Sequence, residues 1–81
     1  MITKDCIETA YSFFHQKHRV YIHSTLDWQK DDIEVAIAQY ADEMDAELFQ
    51  LLAQGRKDFL HNHRLFGTEL DEALTALEKM L

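Results

Sequence analysis

Between Trp28 and Gln54 apolar side chains return every three or four positions: Ile33, Ile37, Tyr40, Met44, Leu48 and Leu51. At about 100° per residue they share a narrow arc, so the stretch reads as an amphipathic helix with one core seam. It contains neither Gly nor Pro and, if unbroken, spans roughly 40 Å. The shorter segments on either side are then expected to pack along it. Nearly opposite the seam runs a second set spaced by sevens, Trp28, Val35, Asp42 and Phe49, with Ala38, Ala46 and Ala53 beside it. A helix with a single buried face carries charges there instead. Two kinds of cover fit this stripe: neighbouring helices of the same chain, or another molecule. Asp42 interrupts it, and an unpaired carboxylate is costly to bury, so a dry coiled-coil seam is not expected. Asp45 also suits the N-cap of a separate helix beginning at Ala46 and Glu47, which would break the long one.

Upstream, Ile7, Ala10, Tyr11, Phe14, His18 and Tyr21 recur at helical steps after the N-cap candidate Thr3, predicting a helix from about Lys4 to Ile22. Cys6, Phe13 and Val20 widen its apolar face. The segment RVYI has strand-like content, but a lone strand has no partner, so it reads as the last turn of this helix. Ser24 or Thr25 is expected to cap the central helix and Gly55 to end it. In Arg56 to Phe66, Asp58 is placed to cap one or two turns burying Phe59, Leu60, Leu65 and Phe66, with Gly67 closing them. Thr68 with Asp71 resembles a capping box, and Leu70, Ala73, Leu74, Leu77 and Leu81 mark a last amphipathic helix. The predicted fold is therefore all-α: a small up-and-down bundle of three main helices plus a short helical segment, one domain over residues 1–81.

Composition sharpens this picture in one respect. The net charge of −7 is carried by residues 27–54, which alone sum to −7, while residues 1–26 are +1, 55–67 are +2 and 68–81 are −3. The central helix is the acidic element. The 47% apolar content is that of a globular chain. No run approaches the roughly 18 apolar residues of a membrane span and the N-terminal residues hold no signal-peptide core, so a cytoplasmic protein without membrane contact is expected. The single Cys6 cannot form an internal disulfide, which agrees with a reducing compartment.

Candidate chemistry is sparse. His15 and His18 are i, i+3 on the first helix and His61-Asn62-His63 lies in the short segment, but neither group alone supplies a metal site. Cys6, about 18 Å along the helix from His18, cannot complete one. His18 reads as a hydrogen-bonded boundary histidine and Cys6 as a packed core thiol. There is no phosphate loop, GxSxG or HExxH, and abundant carboxylates without a cleft are not an active site, so no enzyme, cofactor or metal is expected. The only basic clusters are Lys17, His18 and Arg19, and Arg56, Lys57 and Arg64, which read as solvated cations. On a chain of this charge direct nucleic-acid binding is not expected. The function expected is a non-enzymatic protein–protein interaction or regulatory module using the acidic, two-faced central helix, with Trp28, Val35, Asp42 and Phe49 as the candidate interface. Its partner would be a second copy, as a homodimer, or a basic protein. The alternative is a weak metal-binding or nucleic-acid-associated protein using the histidine and basic clusters. Protonating all five histidines would reduce the formal charge to −2, so association is expected to respond between about pH 7 and 5.5.

Overall fold

Helix α1, Lys4–His23, opens where Thr3 Oγ1 accepts the Cys6 N–H at 3.1 Å, as its cap position predicts. The computed structural model describes residues 2–81, and all of its regular structure is helical. α1 buries Ala10 and Phe14 and sets Cys6, Ile7, Tyr11, Phe13 and Tyr21 against the core. Val20 stays out, half exposed. Helix α2, Asp27–Glu43, follows a tight corner. Its N-cap is Leu26, without a side-chain bond. Ser24 instead bridges the corner, accepting the Leu26 N–H and donating to Gln29 Oε1 at 2.7 Å.

The long central helix does not persist. It ends at Glu43, and α3, Ala46–Ala53, begins afresh after Asp45, whose Oδ1 accepts the N–H groups of Glu47 at 2.9 Å and Leu48 at 3.1 Å. A side chain that satisfies two orphan amides competes with continuation of the helix, and here it prevails. The break resets the phase, so α3 buries Leu48, Leu52 and Ala53 and turns Leu51 outward. The left-handed end comes one residue earlier than Gly55 suggests: Gln54 has φ 52° and Gly55 φ 86°.

Residues 57–60 form a turn and His63–Leu65 a short 3-10 turn capped by Asn62, whose side chain accepts the Arg64 N–H. Phe59, Leu60 and Phe66 are buried as expected, but Leu65 is half exposed. α4, Phe66–Met80, starts ahead of Thr68 without a side-chain cap, so the expected Thr68–Asp71 box does not form and Gly67 lies inside the helix. There Tyr21 crosses the bare Gly67 backbone, its ring edge 3.6 Å from where a Cβ would stand.

The core sits between the helices, with Phe14, Ile37, Leu48, Phe59, Phe66, Leu70 and Leu77 all but fully buried. Each contributes about 1.5–3 kcal/mol by leaving water. Stacked Phe13 and Tyr40, 4.3 Å apart, join α1 to α2, and Tyr21 on Phe66 joins α1 to α4. The most extensive pairing is α1 with α4, then α1 with α2 and α3 with α4. The organising pair is thus α1 and α4, not the acidic segment expected at the centre. Among the described residues no helix is long and apolar enough to cross a membrane.

Candidate functional site

Helix α2 divides cleanly. Ile33, Ile37 and Ala41 face the core, whereas Asp27, Trp28, Asp31, Asp32, Val35, Gln39, Asp42 and Glu43 are exposed along the opposite arc. Six carboxylates against Lys30 alone give this helix a net charge of −5. Within that arc stand Trp28, 60% exposed, and Val35, 57% exposed, seven residues and hence about 20° apart around the axis. Of the four residues of the sequence stripe, the structure keeps Trp28, Val35 and Asp42 on this one face. Among the described residues no neighbouring helix closes over Trp28 or Val35. Phe49 is separated from them by the break at Asp45. It is half-buried in α3, edge-on to Phe59 with ring centres 6.0 Å apart. The corner before α2 adds further large exposed apolar groups, Val20, Ile22 and Leu26. RVYI is the helical last turn expected, but it projects Val20 outward with Ile22 instead of widening the buried face of α1.

The flank of α2 carries a second arrangement, built from residues distant in sequence. His61 Nε2 lies 3.0 Å from Asp42 Oδ1 while its Nδ1 lies 2.8 Å from the Phe59 carbonyl. Both neighbours are acceptors, and a neutral ring can donate to only one of them. His63 Nδ1 lies 2.9 Å from both oxygens of Glu34, and Asp31 sits one turn back, so that a ligand atom from each of Asp31, Glu34 and His63 falls within 4.8 Å of the others. Glu34 is the least exposed of the three, its side chain 17% accessible. The Glu34 hydrogen bond, then its charge, hold the His63 imidazole above its ordinary 6.5, with Asp31 adding to this and slight desolvation opposing it. Burial, and then the charges of Glu34 and Asp31, push the Tyr21 phenol up. Lys30 lies over the Tyr21 ring at 5.5 Å. Between α2 and residues 60–66 runs a groove of about 210 Å³ lined by Glu34, Val35, Ala38, His61, His63 and Phe66 among others. Spacing along the chain gave no sign of this convergence, since 29 residues separate Glu34 from His63.

The remaining chemistry-bearing residues have structural roles. His15 stacks on Tyr11 and His18 pairs with Asp71 of α4, so the i, i+3 histidines diverge to separate partners. Cys6 is a half-buried free thiol against the core. Arg56 is not a solvated cation: its Nε donates to the Ala53 carbonyl at 2.8 Å, its Nη1 reaches Glu72 at 2.7 Å and Glu69 at 3.9 Å, and it lies over Phe59. In comparisons with known proteins, no family model, curated protein or solved structure matches the chain.

Proposed function

We propose that the protein is a non-enzymatic interaction or regulatory module whose acidic α2 face receives a basic partner. The carrying observation is the pair Trp28 and Val35, both more than half exposed amid the −5 charge of α2. Water contact of a large indole costs free energy that a covering molecule recovers, and surrounding carboxylates select a partner rich in Lys or Arg. A second copy is the less favoured occupant, because two such faces apposed would bring like charges together. The basic residues offer no comparable surface for nucleic acid, since Arg56 is engaged with Glu69 and Glu72 and Lys17 lies over Phe13.

Trp28 is the sole tryptophan, so its emission reports on this face alone. Titration with an amphipathic Lys/Leu peptide of about 20 residues, presenting an apolar stripe between cations, is expected to shift that emission to the blue, saturably and less steeply at high salt. An Asp/Leu peptide of the same pattern serves as the control. Equal responses to both peptides, or none to either, would remove the support for a basic partner.

A further inference from the structure

We infer that Asp31, Glu34 and His63 form a binding site for a divalent transition-metal ion of the zinc type. The three donors come from two elements, α2 and the 3-10 turn, and the fold brings one ligand atom of each within 4.8 Å of the others. Carboxylate and imidazole donors around one ion are separated by roughly 3 Å when each bond is about 2.0–2.2 Å, so small side-chain rotations close the set. Asp31 and Glu34 are one helical turn apart and project from the same side of α2.

The surroundings favour a cation in three ways. Glu34 is largely shielded and is fixed at the groove wall, which limits the side-chain entropy lost on binding. The nearest cation of α2, Lys30, is drawn over the Tyr21 ring and leaves the two carboxylates facing His63. The groove beside Glu34 and His63 admits water, which would complete the coordination left open by three protein ligands. The imidazole argues for zinc, copper, iron or nickel over magnesium, calcium or manganese, which favour oxygen donors. A bound ion replaces the His63–Glu34 hydrogen bond with a bridge from the 3-10 turn to α2, stapling residues 61–65 to the bundle.

The site shares Asp31 with the exposed α2 face, and it is tested with the metal alone, in the absence of any protein partner. Protein stripped with chelator is titrated with zinc chloride alone by calorimetry, alongside thermal unfolding with and without the ion. Wild type is expected to bind one equivalent and to unfold several degrees higher with zinc. His63→Ala and Asp31→Asn, both at exposed positions, are expected to weaken binding at least tenfold and to abolish that shift. His23→Ala, at the exposed end of α1, should match wild type. Absence of heat and of any thermal shift in wild type overturns the site, as does binding that His63→Ala and Asp31→Asn leave unchanged. Should one variant fail to fold, the other carries the comparison.

Discussion

Glu69 is the one charged side chain buried among the described residues, 2% exposed on α4. Its Oε1 accepts the N–H of Leu60 at 3.0 Å, and Leu60 itself is held at φ 64°, a left-handed conformation that costs a residue with a Cβ on the order of 1–2 kcal/mol. Arg56 approaches the other oxygen. This carboxylate therefore anchors the Leu60 end of the 56–60 turn, where Phe59 and Leu60 are buried, while Glu72 and the Ala53 carbonyl hold Arg56 more closely. Glu69→Ala leaves the Leu60 amide buried without an acceptor and should lower stability by about 2–3 kcal/mol in urea unfolding. Glu69→Gln keeps a carbonyl for that amide and should cost about 1 kcal/mol. Equal losses for the two would show that the charge, not the amide, is what matters. The sequence held no mark of this: Glu69 sits among Asp71, Glu72 and Glu78, and only the tertiary position of Leu60 distinguishes it.

His63 supplies the pH dependence at the same scale. Because Glu34 and Asp31 raise its pKa in the fold above 6.5, the folded chain holds the proton more tightly than the unfolded one. The stabilisation is complete below about 6.5 and is lost as pH rises through the higher folded value. In metal-free protein the thermal midpoint of wild type should therefore fall, relative to His63→Gln, between about pH 6 and 8. The His18–Asp71 and His61–Asp42 pairs are common to both proteins, so the difference isolates His63. A constant difference across that range would show that the Glu34 pair does not discriminate protonation states.

At the scale of elements, the break between α2 and α3 decides which residues are core. Periodicity alone favoured one helix, because Ile33, Ile37, Met44 and Leu48 stay in register across the join. The capping potential of Asp45 was legible as well, yet helical periodicity cannot weigh a local cap against propagation. Tertiary packing resolves it, since α3 turns to pack against α4 with Leu48 and Leu52 buried. Asp45→Ala should cost about 1 kcal/mol, the ordinary loss for an N-cap. Urea unfolding measures it, and an unchanged midpoint would mean that packing alone holds the break. The remaining caps were harder to place because Leu26 and Leu65 precede α2 and α4 with no side-chain bond. Those boundaries come from packing, so the Ser24, Thr25 and Thr68 signals misplaced them by one to three residues.

Across the whole molecule, the all-α class and most of the core were readable from spacing, because helices amphipathic at 3.6 residues must bury their apolar sides. The exposed stripe of α2 was half readable. Trp28 and Val35 stand on the predicted stripe, but Phe49 left it when the helix broke, and the His63 cluster arises only from folding. Charge is asymmetric at this scale too, with α2 at −5 in a chain of −7. Trp28→Ser with Val35→Lys removes two solvent-facing apolar groups and should change stability by less than about 0.5 kcal/mol. A large loss would place the stripe in the core after all.

The most direct test of the α2 face as a recognition surface uses that double variant and the wild-type chain as parallel baits in extract of the source cell, after matching them for helicity and thermal midpoint. Wild type is expected to retain a basic protein that releases with rising salt and that the variant fails to hold. Retention of the same proteins by both baits, or of acidic proteins by wild type, would contradict recognition through Trp28, Val35 and their surrounding carboxylates.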